Sequence, residues 1–282
     1  MFCKGLSKPR LSKTKLAFYS DILEGYSLHF FMIGHILMVK IACNNIVFPN
    51  IKAIFFDKDG TLEDSHFFLH ELARERVNQI ALTHPKIKDS LLLTLGISHN
   101  GIDPKGLMAV GSRQDNELAA AAYLASSGCG WFTAREIANK AFENAAQKVR
   151  PTKENSPIFA DSLEVIKTLA VANLKLGIIS ADSTVGIQTF MERENISSYF
   201  QLAIGSDLNL SKPNPLLYLK ACKILNVRPQ NTLMIGDSLG DIQMAQKASA
   251  RGTIGISWYN PTAKHLDTAT VTIDNLKKLK IM

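Results

Sequence analysis

Two carboxylates, Asp57 and Asp59, stand two residues apart directly after an apolar segment, in the sequence IKAIFFDKDGTLEDS at 51–65. If both carboxylates were buried and ionised, they would repel one another. The Asp-Gly pair that begins at Asp59 is also a common turn dipeptide after a strand, so this segment alone is equally compatible with a plain turn. Residues far downstream decide between a turn and a reactive site.

Polar residues also follow apolar segments later in the chain: Ser180, Lys212, Asp237 and Asp241. Each has an ordinary structural explanation. Ser180 could cap the next helix, Lys212 could be a solvated charge, and Ser238 with Asp241 fits a capping box. Taken one at a time these explanations are favoured, so the placement of the residues relative to one another carries the argument.

The elements that would position these residues alternate along the chain. The segment 51–56 is a short β-branched and aromatic run typical of a buried strand, and residues 66–148 have the apolar spacing and composition of helices. Ser112 and Asp115 form a capping box at the start of one of these helices. After a proline-containing linker at 150–157, short apolar strands alternating with helices are predicted within 174–180, 200–206, 232–237, 252–257 and 269–273.

This alternation predicts an α/β fold. We expect a Rossmann-like parallel sheet with helices on both faces and an α-helical cap inserted after the first strand. In such sheets ligands bind outside the carboxyl ends of the strands. The polar residues singled out above all follow strand ends and are therefore expected at one edge of the sheet: Asp57, Asp59, Ser180, Lys212, Asp237 and Asp241.

Several carboxylates at one edge are electrostatically unfavourable unless a cation lies among them. Mg²⁺ suits this set, because it prefers a few hard carboxylate oxygens together with water and substrate phosphate. Lys212 and the Ser180 hydroxyl would then supply a positive charge and a hydrogen-bond donor for a phosphate group. The sequence therefore predicts a Mg²⁺-dependent site for phosphate chemistry.

The ordered motifs resemble those of the haloacid dehalogenase-like (HAD) hydrolases. The matching residues are DKDGTL at 57–62, Ser180 at a strand end, KPNPLLY from Lys212 and GDSLGD from Gly236. Asp64 and Ser65 extend the first motif in the manner of the phosphoglycolate phosphatase-like branch. The resemblance covers 51 to about 260.

The resemblance also implies a domain organisation. Residues 51–65 and 156–282 would form the α/β core, residues 66–155 the helical cap, and residues 1–50 an N-terminal extension.

The resemblance further implies roles for the reactive residues. Asp57 would be the nucleophile and Asp59 the general acid and base, while Ser180 and Lys212 would hold the phosphate. After Ser180, Ala181 stands where relatives frequently have asparagine, so the second phosphate contact differs here.

The implied metal ligands are carboxylate and carbonyl oxygens. Mg²⁺ would be bound by Asp57, by the carbonyl of Asp59 and by Asp237, and Asp241 would support the metal site. The second aspartate of the first motif favours phosphoryl over halide chemistry. The activity implied is hydrolysis of a small phosphomonoester through an aspartyl-phosphate. A sugar-phosphate mutase of the same fold and a non-catalytic protein that binds a phosphate ligand remain alternatives.

Arg113 is the candidate for substrate specificity within the cap. It stands beside glycines at a predicted helix start, where an anionic substrate could meet both its guanidinium and backbone amides. The competing interpretation, a solvated surface arginine, is the more common situation.

The composition limits the possible partners. The 282-residue chain is 46% hydrophobic and 20% charged, as in ordinary soluble globular proteins. Its net charge of +7 is concentrated in residues 1–16, which hold five basic residues and no acid. The remainder is nearly neutral, which does not support a basic nucleic-acid face. The composition therefore favours neither nucleic acid nor a membrane as partner, and the partner that the resemblance implies is a small phosphorylated metabolite.

The N-terminal segment allows three interpretations. Its apolar stretch Leu28–Val39 is too short for a membrane span. The segment could be a secretory leader, an organelle transit peptide, or upstream sequence with Met38 as the true start, which we favour because regular patterning begins near Ile51. The scattered cysteines indicate a reducing compartment. The predicted localisation is cytoplasmic, with an organelle as the alternative if 1–37 is a transit peptide.

Overall fold

The computed structural model describes residues 39–99, 101–206, 210–259 and 263–282. Its first strands are β1 (Val39–Cys43) and β2 (Ile46–Ile51), joined by a turn at Asn44 with a positive φ of 51°. With β11 (Leu279–Ile281) they form a three-stranded antiparallel sheet in the order β11-β1-β2.

The small sheet corrects the N-terminal boundary predicted from the sequence. Residues 39–50 are not part of an extension, because Ile41, Cys43 and Phe48 are buried in the main hydrophobic core. Their alternating inward and outward side chains are those of a half-buried antiparallel sheet. Residues 1–38, and with them the interpretation of Met38 as the true start, lie outside the described residues.

A six-stranded parallel sheet forms the centre of the described chain, in the order β10-β9-β8-β3-β6-β7. Its first strand in sequence, β3, lies in the middle, between β8 and β6, and all four of its side chains are buried. The strands are β3 (Ala53–Phe56), β6 (Lys175–Ile179), β7 (Leu202–Ile204), β8 (Thr232–Gly236), β9 (Gly252–Ile256) and β10 (Val271–Ile273). This arrangement confirms the predicted α/β fold class.

Helices cover both faces of this sheet, because alternate residues of the strands point to opposite sides. From β3, Ile54 and Phe56 pack in one cluster with side chains of α6 (Ser162–Val171) and α7 (Thr184–Arg193). Ala53 and Phe55 pack in another cluster with α8 (Pro215–Ile224) and α9 (Leu239–Lys247). Both faces being covered explains why the strands are continuous apolar runs.

The helical insertion between β3 and α6 has a separate core. It consists of α1 (His66–Ala81), α2 (Lys88–Thr94), α3 (Leu107–Val110), α4 (Arg113–Ser126) and α5 (Trp131–Lys148), with a short hairpin of β4 (Ile97–Ser98) and β5 (Gly101–Ile102). Buried alanines spaced along α5 allow it to pack closely against α1 and α4. Ser112 and Asp115 form the predicted capping box of α4.

The length and apolar character of the helices bear on whether any of them could span a membrane. Across the part of the chain that the structure describes, no helix combines the length and the apolar character needed to cross a bilayer.

Candidate active site

The loop after β3 approaches the loop after β8 through a glycine. Gly60 has a φ of +72°, a conformation that favours glycine, and its N–H donates to the Glu63 carbonyl at 2.9 Å. A Cβ atom at this position would lie 2.0 Å from Asp237 Oδ2. The Asp-Gly turn therefore exists, but its glycine is needed to let two carboxylate-bearing loops come together.

Asp57 lies at the carboxyl end of β3 and is 6% exposed. Its Oδ1 is 2.6 Å from Lys212 Nζ and accepts the Lys58 backbone N–H at 2.6 Å. Burial raises the pKa of Asp57 to about 7; Lys212 opposes this shift, and the charge of Asp241 adds to it. Asp57 is therefore a carboxylate held in a defined orientation with its negative charge only partly compensated.

Asp57, Asp237 and Asp241 form a carboxylate cluster, each offering an oxygen within 4.8 Å of the others. Asp241 is completely buried and held from both sides: its Oδ2 accepts the Ser238 hydroxyl at 2.6 Å, and its Oδ1 is 2.7 Å from Lys212 Nζ. Ser238 and Asp241 thus form the predicted capping box of α9 as well as part of the site. Burial, and then the charges of Asp57 and Asp241, raise the pKa of Asp237 well above its usual range.

The donor set of this cluster fits a hard divalent cation. Three carboxylates lie together and two of them contact a single lysine, so the cluster carries excess negative charge, and its available ligand atoms are oxygens. Lys212 is buried, which lowers the pKa of its ammonium, but the charges of Asp241 and Asp57 outweigh burial and raise it overall. The lysine is therefore positively charged at neutral pH and compensates part of that charge.

Asp59 lies outside this cluster. Its Oδ1 accepts from Lys58 Nζ at 2.8 Å, and the same ammonium contacts Glu63 Oε2 at 2.8 Å and Asp182 Oδ2 at 3.2 Å. Burial lowers the pKa of Lys58, but the charges of Asp59, Asp182 and Glu63 raise it by more. Lys58 is thus a charged residue that fixes the direction of the Asp59 carboxylate.

Ser180 follows β6 and is 1% exposed, and its Oγ accepts the Asp182 backbone N–H at 3.1 Å. It lines the same cleft as Asp57, Asp59 and Ala181, a space of about 550 Å³ between the sheet edge and the helical insertion. The volume suits a small ligand. Ser180, Asp57 and Asp59 therefore share one cleft, while Lys212 contacts Asp57 and Asp241 and does not line it.

Arg113 is the first residue of α4 and also lines the cleft. Its side chain is 48% exposed, and its Nε is 3.8 Å from Glu117 Oε2 on the next helical turn. It therefore lies at the rim of the cleft and is partly solvated.

Arg76 and Lys58 also line the cleft, although motif-based reasoning did not select them. The sequence does contain an indication for Arg76, because it lies on the buried face of α1. The other buried residues of that face are apolar: Leu72, Ala73, Val77 and Ile80. A charged residue in such a position is unusual unless it has a partner or a function. For Lys58 the indication in the sequence is its position between the two aspartates of the first motif.

The fold and the site define an α/β enzyme with a helical cap over its sheet edge. The chain belongs to the haloacid dehalogenase-like hydrolase family, whose model matches residues 51–249. This membership confirms the family predicted from the motifs and the prediction of an enzyme.

Similar proteins extend over most of the chain. The phosphoglycolate phosphatase of Psychrobacter arcticus is 30% identical over 212 residues, 73% of this chain and 84% of the relative. The pyrophosphatase PpaX of Anoxybacillus flavithermus is 26% identical over 231 residues, 78% of this chain and 89% of the relative. A crystal structure described as a predicted phosphoglycolate phosphatase from Haemophilus somnus has a TM-score of 0.60 at 19% identity, over 80% of this chain and 95% of that one. The last similarity shows the fold alone.

Proposed function

We propose that the protein is a Mg²⁺-dependent phosphatase that hydrolyses a small phosphomonoester through an aspartyl-phosphate intermediate. The observation that carries the proposal is the buried Asp57 carboxylate, 2.6 Å from Lys212 Nζ and clustered with Asp237 and Asp241. Family membership and the phosphatase names of similar proteins support the same reaction class.

In the first step, an Asp57 oxygen attacks phosphorus and the bond to the leaving alcohol oxygen breaks. Asp59 donates a proton to that oxygen as it leaves. In the second step, Asp59 takes a proton from water, whose oxygen attacks the phosphorus, and inorganic phosphate and the free Asp57 carboxylate are released. The contact between Asp59 and Lys58 supports this role, because it fixes the orientation of the carboxylate.

Positive charge and hydrogen-bond donors must balance the transferring phosphoryl group. Lys212 supplies a buried ammonium that already contacts Asp57, and the Ser180 hydroxyl supplies a donor at the neighbouring strand end. Asp57, Asp237 and the Asp59 carbonyl would hold Mg²⁺, which supplies Lewis-acid neutralisation of phosphoryl charge when bound. Asp241 would position Lys212, because its Oδ1 is 2.7 Å from Lys212 Nζ and its Oδ2 accepts the Ser238 hydroxyl, and from there it would support the metal site.

The test separates the two aspartates by role. Asp57→Asn removes the attacking carboxylate, so no phosphoenzyme forms and turnover is lost. Asp59→Asn keeps the nucleophile but lacks the base for water attack, typically worth about 10²–10⁴-fold in rate. With an activated substrate such as p-nitrophenyl phosphate, Asp59→Asn accumulates a phosphoenzyme that hydroxylamine cleaves.

Mass spectrometry after a short pulse with Mg²⁺ measures the phosphoenzyme in each variant. Asp89→Asn, a change of an exposed aspartate on α2, is the matched control and turns over normally. Phosphate release without a sugar acceptor distinguishes a phosphatase from a mutase. A phosphoryl group on any residue other than Asp57, or undiminished turnover of Asp57→Asn, contradicts the mechanism.

A further inference from the structure

Arg76 is a buried arginine to which the described part of the chain supplies no carboxylate partner. Its residue is 8% exposed, and it lies on the face of α1 that packs into the core of the helical insertion. Within the described residues, no Asp or Glu oxygen lies within ion-pair distance of its guanidinium. Such burial is unfavourable for a charge, since a buried charge is ordinarily paired.

The contacts of Arg76 are weak ones. The guanidinium carbon is 4.5 Å from the centre of the Phe142 ring, and Nη1 donates to Met108 Sδ at 3.5 Å. Its Nε is buried and finds no hydrogen-bond partner among the residues that the structure describes. Burial, and then the charge of Arg113, lower its pKa to about 10, so the side chain still carries its positive charge at neutral pH.

Arg76 lines the cleft that also contains Asp57 and Ser180. At the sheet edge the cleft is lined by residues proposed to bind the transferred phosphoryl group, and on the opposite side the helical insertion contributes Arg76. Arg113 adds a second, partly solvated positive charge on the side of the insertion. The cleft has room for a ligand larger than a phosphate group alone.

We propose that Arg76 is a specificity-determining residue that binds a second anionic group, a carboxylate or a phosphate, on the part of the substrate distant from the transferred phosphoryl group. The proposal rests on the phosphatase function proposed above. A carboxylate or phosphate oxygen in the cleft would pair with the buried positive charge of the guanidinium, with the planar geometry that suits arginine. A purely structural side chain at this position would be better served by an apolar residue.

Arg76→Met keeps the length and packing of the side chain and removes its charge. Arg74→Met, at an exposed arginine on the same helix, is the matched control. The substrates are ethyl phosphate, which has no second anionic group, 2-phosphoglycolate, which adds a carboxylate, and a hexose 1,6-bisphosphate, which adds a phosphate. Whichever of the last two the unmodified protein prefers over ethyl phosphate identifies the second anion.

The expected result is a change in selectivity. The ratio of kcat/KM for the preferred anionic substrate to that for ethyl phosphate falls about tenfold or more in Arg76→Met, through KM. Arg76→Lys recovers part of the ratio, and Arg74→Met leaves it unchanged. Equal losses for substrates with and without a second anionic group would show that Arg76 only packs, and the absence of any preference in the unmodified protein would also overturn the inference.

Binding measurements keep the inference separate from the proposed function. If the unmodified protein releases phosphate from none of these substrates, the phosphatase proposal fails by itself. Calorimetry then compares phosphonoacetate and methylenebisphosphonate with ethylphosphonate, which lacks a second anion. Tighter binding of either probe with two anionic groups that is lost in Arg76→Met supports the inference, and identical affinities for all three probes overturn it.

Discussion

Replacing Glu63 by glutamine removes one negative charge from a buried network without changing the shape of the side chain. Glu63 is 1% exposed and binds three groups. Its Oε2 is 2.8 Å from Lys58 Nζ, and its Oε1 is 2.5 Å from Arg193 Nη2 and accepts the Ser156 hydroxyl at 2.7 Å. This network joins the loop after β3 to α7 and to the segment that returns from the helical insertion.

The magnitude follows from what remains after the substitution. The glutamine oxygen can still accept from Arg193 and Ser156, but its amide N–H group then faces the Lys58 ammonium, so two donors oppose each other. Breaking one partner of a buried ion pair costs about 3–5 kcal/mol. Lys58 keeps Asp59 and Asp182 as partners, which places the expected loss near the lower end, about 3 kcal/mol.

Urea unfolding followed by tryptophan fluorescence measures this loss. Trp258 reports on the same region, since its indole N–H donates to the Thr61 carbonyl at 3.1 Å. With a slope of about 3 kcal/mol per molar, the midpoint falls by about 1 M in Glu63→Gln. Glu164→Gln is the control, because Glu164 is 73% exposed and pairs with Lys277 at the surface, and we expect no measurable change. Equal midpoints for the two variants would refute the reasoning.

Two further predictions concern the loop after β3 and the small sheet. Gly60→Ala places a Cβ 2.0 Å from Asp237 Oδ2, so we expect turnover in a phosphate-release assay to fall about 10²-fold or more. Gly128→Ala is the control and keeps turnover, because Gly128 also has a positive φ but has open space around it. Equal turnover of both variants contradicts this prediction. A truncated protein that begins at Met38 keeps solubility and activity, whereas one that begins at Ile51 loses β1 and most of β2 and is insoluble. Equal soluble yields would show that the small sheet is dispensable.

The parts of the fold that the sequence predicts well are those determined by local patterns. The buried run at 232–237 forms β8, and the capping boxes at Ser112 and Ser238 form as expected, because strand composition and helix caps depend on near neighbours. The strand-end rule also places Asp57 and Lys212 correctly, since all strands of a parallel sheet end at one edge.

What the sequence does not predict depends on partners distant along the chain. β1 and β2 are short, β2 contains Pro49, and the third strand of their sheet is β11, more than 200 residues further along the chain. The burial of Arg76 against Phe142 and its position in the cleft depend on other elements of the fold. Neither neighbour can be identified from local periodicity.

The pairing of β1 with β11 has a consequence for the order of events during synthesis. Among the described strands, β1 emerges from the ribosome first and β11 last, and the Met282 backbone N–H donates to Lys40 O at 2.9 Å. The helical insertion is contiguous in sequence and can close its core early, but the small sheet is complete only after Leu279–Ile281 has been synthesised. A chain released before Leu279 leaves β1 with an unpaired edge, and such an edge recruits other chains into aggregates.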